Sequence, residues 1–266
     1  MEHNNLTIVS VYGHNDGSSA IFAIQKSMKE LPGSRGLLLS IIKPDNLPES
    51  IEWKQIGNLD YLMYSTFIMH SLYAFIDTDY CLIVQDDSWV LNGANFKPEY
   101  YEYDYIGGIC HAAMVGNELL LQGTWHDKFP RTLVQNGGFS LRSKRFLEAP
   151  NKLGITHTPA QDIHLWNEDV QLSCIKRHIF AEHGMKYASE KTIRDFSIEN
   201  VIPTFHDDFD FGKLLGCHST SRKLISDNHI LVNPICVTSY REPDFLSFLQ
   251  SIGYTIEYVA SNPTQA

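Results

Sequence analysis

The chain has 266 residues, of which 43% are hydrophobic, and it carries a formal net charge of −10. This composition suits one large globular domain or a domain with a small appendage. The excess of acidic residues disfavours non-specific binding to nucleic acid or to anionic membranes, and it suits a soluble protein able to hold a cation. The five cysteines are scattered without a CxxC pair, which indicates reduced thiols and argues against zinc binding through cysteine.

The N-terminal segment, MEHNNLTIVSVYG, has neither a basic start nor a long apolar stretch. No later segment approaches the ~20 uncharged apolar residues of a membrane span. We therefore expect a cytoplasmic protein without a transmembrane helix, for which peripheral contact with a membrane stays open.

Strand-like and helical patterns alternate in the first third of the chain. Runs of aliphatic residues predict strands at 6–12, 36–42 and 80–85, and apolar residues at helical spacing predict helices at 21–31 and 59–76. The second helix is apolar on nearly every side, which predicts that it is buried. This alternation predicts an α/β fold with a mostly parallel central sheet, helices on both faces, and a ligand crevice at the carboxyl ends of the strands.

The pattern is less regular after residue 93. Strands are predicted at 103–110 and 138–143, with a loop-rich insertion between them over 111–135. In the last part of the chain only three elements are clear, and they are a strand at 230–237, a helix at 244–252 and a strand at 255–260.

Two adjacent carboxylates follow the predicted strand at 80–85. Asp86 and Asp87 open the sequence DDSWVLNG, and acids at the exit of a buried strand occupy the edge where open α/β sheets bind their ligands. This position predicts a functional site.

Three further stretches contain residue types found in binding sites. Asn136-Gly137-Gly138 precedes a strand, where glycines permit close approach of a ligand, although Asn-Gly is also typical of a hairpin turn. Glu168 and Asp169 open an amphipathic helix, where acids often serve only as caps. His218 lies in FGKLLGCHS, a context in which a histidine is more often structural than a ligand.

Taken in chain order, the blocks YCLIVQDDSWVLNG, YDYIGG, NGGFSLRSKRF, NEDVQLS and a late FG…H resemble the layout of GT-A-type nucleotide-sugar glycosyltransferases. The resemblance is closest to a bacterial and viral glycosyltransferase-like family with YDYIG and NGGFSLRS blocks, and it covers about residues 6 to 220. It implies a single Rossmann-like GT-A domain over 1–266, an α/β/α sandwich. Residues 1–100 would form the nucleotide-binding half, 101–220 the donor-sugar and acceptor half, and 221–266 elements that pack on the core.

The resemblance implies a divalent cation, Mn²⁺ or Mg²⁺, that meets the charge on the leaving diphosphate. Asp87 is the expected first metal ligand, and His218 the expected late histidine. The motif is D-D-S instead of D-x-D, so Ser88 replaces a carboxylate, and Asp86 is assigned to the ribose or the donor sugar. A rival metal site is the charged loop that contains His206, Asp207, Asp208 and Asp210.

The remaining roles also follow from the resemblance. Asp169 is expected to act as the general base on the acceptor hydroxyl, with Glu168 directed at a substrate hydroxyl, and a single base beside the acceptor favours inversion. The resemblance also places Tyr12, Gly13 and His14 at the base and ribose, and Asn136, Gly137 and Gly138 beside the sugar.

Two further expectations rest on side-chain chemistry. Arg142 or Lys144 is expected to counter the diphosphate if it points inward, with a plain surface charge as the alternative. Sugars stack on apolar ring faces, so Trp166, ahead of Trp89, Trp125 and Phe129, is the expected acceptor platform, with core packing as the alternative for each of them.

The expected partners are a nucleoside-diphosphate sugar, with a UDP-sugar first, and a carbohydrate or other hydroxyl acceptor, without nucleic acid. A glycoside hydrolase would also use two carboxylates, but an acid pair after the third strand suits a diphosphate better. A phosphotransferase would need a phosphate-binding loop such as GxxxxGK[ST], which is absent from the sequence. A catalytically silent sugar-binding protein stays open as the alternative that is not an enzyme.

Overall fold

The computed structural model describes residues 1–109, 114–115, 118–119, 133–158, 163–237 and 239–259. Its strands are β1 Leu6–Tyr12, β2 Arg35–Ser40, β3 Ile51–Gln55, β4 Tyr80–Ile83, β5 Ser88–Val90, β6 Tyr105–Ile109, β7 Met114–Val115, β8 Glu118–Leu119, β9 Gln135–Ser143, β10 Ser197–Ile198, β11 Gly216–His218, β12 Arg222–Ser226, β13 His229–Val232 and β14 Thr255–Tyr258. Its α-helices are α1 Ile21–Glu30, α2 Tyr61–His70, α3 Lys144–Lys152, α4 Glu168–Val170, α5 Arg177–Glu182, α6 Glu190–Phe196, α7 Pro203–His206 and α8 Glu242–Ser251.

Nine of the strands form one twisted sheet in the order β3-β2-β1-β4-β9-β6-β10-β11-β5. The first four are mutually parallel, β9 runs antiparallel to both of its neighbours, and β5 runs antiparallel to β11 at the far edge. The carboxyl ends of β1 and β4 therefore lie at the same edge of the sheet as the beginning of β9.

Side-chain alternation along β1 covers the sheet on both faces. Leu6 and Ile8 belong to one core cluster, which also contains Ile21 and Ile24 of α1. Val9 and Val11 point the other way, into a second cluster that contains Ile68 of α2 and Leu72. Helices on both faces of a mostly parallel sheet confirm the predicted Rossmann-like α/β fold class.

The C-terminal elements form a separate three-stranded sheet in the order β12-β13-β14, which lies beside α8. Leu224, Ile230 and Phe245 from this region belong to the same core cluster as Leu6 and Ile8. The C-terminal region thus packs directly on the main domain.

Some expected elements differ from the structure. The predicted helix at 59–76 is α2 followed by a short 3-10 helix, Leu72–Phe75, and its first residues Tyr61, Leu62 and Met63 are exposed instead of buried. The strand β3 was not predicted, because it is a short edge strand in which Ile51 and Trp53 are the only apolar residues. The strand expected at 230–237 ends at Val232, where Asn233 caps a 3-10 helix.

Most of the insertion expected over 111–135 lies outside the described residues. Among the described residues, no helix combines the length and the apolar composition needed to cross a membrane.

Candidate functional site

The two carboxylates after β4 point in different directions. The Asp86 Oδ2 atom accepts hydrogen bonds from the Tyr12 hydroxyl and from Lys223 Nζ, each at 2.9 Å. The Asp87 Oδ1 atom lies 3.4 Å from His218 Nε2. The acid pair is therefore divided between a carboxylate that is paired with a lysine and one that faces a histidine.

Asp87 is a buried carboxylate that is incompletely satisfied. The residue is 8% exposed, and its Oδ1 atom accepts no hydrogen bond from any described residue. Burial raises the pKa of Asp87 above the ordinary carboxylic value, an effect that the nearby His218 partly offsets. A buried oxygen of this kind is costly unless a cation or a donor reaches it.

His218 approaches Asp87 because β11 and β5 are paired with His218 opposite Ser88. The Ser88 hydroxyl accepts a hydrogen bond from Gln85 N and donates one to Gly138 O, each at 2.7 Å. Ser88 thus joins the acid-bearing loop to β9, and its hydroxyl is already engaged with the backbone.

Asp169 lies at the beginning of α4, opposite Gly137. Its Oδ2 atom accepts a hydrogen bond from Gly137 N at 3.1 Å, and its Oδ1 atom accepts one from Val170 N at 2.7 Å. Burial and the charges of Glu168 and Glu199 raise the pKa of Asp169 from 3.8 to about 8. The helix N-cap is Asn167, so Asp169 contacts the strand instead of serving as the cap.

The expected diphosphate contacts of Arg142 and Lys144 are not available, because neither side chain points into the crevice. Arg142 is 0% exposed, and its Nη2 atom donates to Glu168 Oε1 at 2.8 Å. The Lys144 ammonium donates to the carbonyl oxygens of Tyr73 and Ile76. Arg142 instead holds Glu168 from behind the site.

The glycines of the NGG block lie inside strand β9, so the hairpin interpretation was wrong. Neither glycine has a positive φ, so the backbone conformation does not require glycine. The absence of a Cβ atom is what matters at both positions. A Cβ atom on Gly137 would lie 2.2 Å from Glu168 Oε1, and one on Gly138 would lie 2.6 Å from His218 Nε2. The two glycines therefore make room for site side chains.

Two adjoining cavities lie along the carboxyl ends of the strands. The first, of about 270 Å³, is lined by Val11, Tyr12, Gly13, His14, Leu59, Tyr61, Tyr64, Gln85 and Asp86. The second, of about 240 Å³, is lined by Tyr61, Tyr64, Ser65, Gln85, Asp87, Asn136, Gly137, Gly138, Asn167, Glu168, Asp169, Glu199, His218 and Thr220. Their shared wall consists of Tyr61, Tyr64 and Gln85, so the two cavities form one continuous crevice.

The aromatic residues that were expected to face an acceptor lie elsewhere or outside the described residues. Trp166 stacks on His157 with ring centroids 5.8 Å apart and does not line either cavity. Trp89 is fully buried and donates to the Tyr254 hydroxyl at 3.0 Å. Trp125 and Phe129 lie outside the described residues.

His206 and Asp207 of the rival acidic loop are engaged with separate partners. His206 is 1% exposed and receives a hydrogen bond on Nδ1 from Ile202 N, and burial lowers its pKa to about 4. Asp207 is paired with Arg241 at 2.7 Å. Within the described part of the chain, no group of three or more His, Cys, Asp or Glu residues is arranged to hold a metal ion.

Sequence reasoning missed several residues that line or border the crevice, namely Tyr64, Gln85, Glu199, Thr220 and Lys223. Gln85 immediately precedes the acid pair, so its position at the strand exit was a usable signal. Lys223 lies on β12, in the separate C-terminal sheet, and nothing in its local sequence indicates that it reaches Asp86.

The sequence was compared with known families and proteins. A family model described as "Protein of unknown function (DUF5672)" matches residues 49–218, which is more than half of the chain. The chain belongs to this family. The matched region begins just before β3 and ends at His218, so it includes Asp87, Asp169 and the NGG block and leaves out β12 and α8. No curated protein matches the sequence.

The DUF5672 chain is also similar to solved structures. One is a galactosyltransferase, LgtC, in complex with donor and acceptor sugar analogues, at 13% identity and a TM-score of 0.48, covering 94% of this chain and 97% of that one. Another is an active-site mutant of LgtC, at 14% identity and a TM-score of 0.46, covering 92% and 95%. At these values the likeness does not bear on activity or substrate.

Proposed function

We propose that the protein is a metal-dependent glycosyltransferase, which moves a sugar from a nucleoside-diphosphate sugar to a hydroxyl acceptor. One observation carries the proposal: a single crevice at the carboxyl ends of the strands holds Asp87 with His218 on one wall and Asp169 on another, beside Gly137 and Gly138. Two side chains that suit a cation and a carboxylate that suits the role of base, all beside one glycine-bearing strand, are what such a transfer requires.

The first cavity suits the nucleoside. The Tyr12 ring provides an apolar face for a base, and the hydroxyl of the same residue is already hydrogen-bonded to Asp86. Asp86 in turn can accept hydrogen bonds from ribose hydroxyls. A UDP-sugar is the first donor to test, since the sequence resemblance includes that donor class.

Lys223 takes the role that the sequence had assigned to Arg142 or Lys144. Its ammonium group is paired with Asp86, which lines the first cavity, and its side chain is 52% exposed. Asp86 is followed directly by Asp87 of the second cavity, so a diphosphate that extends from the first cavity toward Asp87 would come close to Lys223. A half-exposed lysine can leave a carboxylate and meet a phosphate oxygen at little cost.

Asp87 and His218 fit a divalent cation. An unsatisfied carboxylate oxygen and an imidazole nitrogen 3.4 Å apart form an oxygen and nitrogen donor set that suits Mn²⁺, and two protein ligands leave positions for diphosphate oxygens and water. A bound cation would neutralise the charge that develops on the leaving diphosphate.

Asp169 acts as the base. As the acceptor oxygen forms its bond to the anomeric carbon, its proton passes to the Asp169 carboxylate, and the bond from that carbon to the diphosphate breaks. The nucleoside diphosphate departs with the electron pair. One base and one displacement invert the anomeric configuration, and the raised pKa of Asp169 makes its carboxylate a stronger base once it is unprotonated.

The proposal is tested with a panel of nucleotide sugars, with and without Mn²⁺, by following release of nucleoside diphosphate. We expect slow, metal-dependent hydrolysis of one donor class, which speeds up when a suitable acceptor is added. Donor binding by calorimetry without any release, across a broad acceptor panel, would favour the silent sugar-binding alternative. Neither binding nor release of any donor would contradict both.

A further inference from the structure

Arg222 joins two residues of the crevice from behind. It begins β12 and is 0% exposed. Its Nη2 atom donates to the carbonyl oxygens of Glu199, at 2.7 Å, and of His218, at 3.1 Å. Glu199 and His218 lie side by side because β10 and β11 are parallel neighbours, with Ile198 opposite Cys217.

The guanidinium group is itself held by α8. Its Nη1 atom donates to Glu242 Oε1 at 2.7 Å, and Glu242, in the first turn of α8, is 1% exposed. The guanidinium carbon also lies 4.5 Å from the centroid of the Phe245 ring. The contacts therefore run from α8 through Arg222 to two residues that line the second cavity.

The ion pair between Arg222 and Glu242 is expected to contribute little to stability. Arg222 Nε and Glu242 Oε2 are buried and have no hydrogen-bond partner among the described residues. A buried ion pair loses much of its attraction to desolvation, and replacing such a pair by apolar side chains is often neutral for stability. What the arginine does contact is the backbone at the ends of two neighbouring strands, β10 and β11.

We propose that Arg222 and Glu242 are positioning residues, which set the location of His218 and Glu199 in the crevice and make α8 part of the functional unit. The pair lies outside residues 49–218 of the family match. This inference rests on the proposed function for its effect on ligand binding, while its effect on the location of His218 is independent of any activity.

The first test is Arg222→Lys. A lysine keeps the charge beside Glu242 but lacks the planar fork that reaches both carbonyl oxygens. We expect a folded protein whose His218 ring resonances shift in a histidine-labelled NMR spectrum, and whose affinity for Mn²⁺ with a nucleoside diphosphate falls about 10- to 100-fold. Arg241→Lys is the matched control, since Arg241 pairs with exposed Asp207 and Asp244 beside the same helix.

The second test is the double variant Arg222→Met and Glu242→Leu, which removes both buried charges together. It keeps the inference testable if Arg222→Lys does not fold. The same two measurements apply. Unmoved His218 resonances in a folded variant would overturn the inference. If wild-type protein binds no nucleoside diphosphate with Mn²⁺, the proposed metal site fails, and the His218 resonances still decide whether Arg222 positions the histidine.

Discussion

Asp169 accepts a hydrogen bond from the backbone N–H of Gly137 at 3.1 Å, so two motifs that are distant in the sequence meet through one contact. The contact holds a partly buried carboxylate against β9, in the middle of the sheet, with Glu168 and Glu199 close by. The high pKa of Asp169 follows from this placement.

Asp169→Asn separates chemistry from binding. The amide keeps the shape of the side chain but cannot take a proton, and a positioned base typically contributes about 10²- to 10⁴-fold. We expect kcat to fall by that factor while the donor Kd barely changes. Asp244→Asn, at an exposed first-turn acid of α8, is the control. Near-normal turnover of Asp169→Asn would show that Asp169 is not the base.

The pH dependence of stability reports the same carboxylate. Because the pKa of Asp169 is about 8 in the folded protein and 3.8 when it is unperturbed, the folded state retains a proton that the unfolded chain has lost between these values. The stability that this protonated carboxyl contributes is therefore fully present below pH ~4 and is lost as the pH rises through ~8.

Asp169→Asn removes this loss. We expect the melting temperature of the variant to exceed that of wild type by a few °C or more near pH ~8 and to match it near pH ~4, since about 1 kcal/mol corresponds to ~2–4 °C in a chain of this size. Part of the wild-type slope persists in the variant, because burial also raises the pKa of Asp87. Parallel melting curves across this range would contradict the assignment.

Asp87→Asn and His218→Ala test the proposed cation site. Removal of the anionic ligand should abolish the dependence of nucleoside diphosphate binding on Mn²⁺, and removal of the imidazole should give a milder version of the same defect. His229→Ala is the matched control, since His229 is paired with Glu257 in the C-terminal sheet. Calorimetry with unchanged Mn²⁺-dependent affinity in Asp87→Asn would place the cation elsewhere.

Gly138→Ala tests why the NGG block contains glycine. The new methyl group would lie 2.6 Å from both His218 Nε2 and Gln85 Oε1, so these side chains must move. We expect a stability loss of about 1–3 kcal/mol together with weaker Mn²⁺-dependent nucleotide binding. Gly57→Ala is the control, because nothing lies within 4 Å of its added Cβ atom. Wild-type binding in Gly138→Ala would show that His218 is not needed in its present position.

Lys223→Gln tests the counter-charge for the diphosphate. A hydrogen bond to a charged group contributes about 1.5–3 kcal/mol, and for this half-exposed lysine we expect about a tenfold loss of nucleoside diphosphate affinity. Binding of the uncharged nucleoside should be unaffected. Lys29→Gln, at an exposed lysine paired with Asp227, is the control, and an equal loss for nucleoside and diphosphate would indicate that Lys223 acts only through Asp86.

Local periodicity was sufficient for the fold class. The strand at 6–12 agrees with β1 residue for residue. The alternation of strands and helices correctly indicated a mostly parallel sheet, because the spacing of apolar residues along the chain reflects which faces of a strand or helix are buried. The amphipathic helix expected to begin at Glu168 and Asp169 is divided among α4, a π-helical turn at Gln171–Ile175 and α5. Packing against β9 overrides the helical period there.

The direction of individual side chains could not be read from the same patterns. All residues of β9 are buried, so alternation gave no indication of which face carries Arg142, and the structure places that arginine behind Glu168. Lys223, which approaches Asp86 from β12, was equally hidden, since a contact between two separate sheets leaves no mark in the local sequence.

The sequence by itself determined the class of fold and the sheet edge where the carboxylates gather, because strand exits and burial are encoded in local periods of two and 3.6 residues. Only the tertiary structure decided that Asp87 meets His218, that Lys223 meets Asp86 and that Arg222 ties Glu199 to His218. Those contacts join segments far apart in the chain. They depend on how whole strands and helices pack together, and the conformational preference of a single segment does not determine that packing.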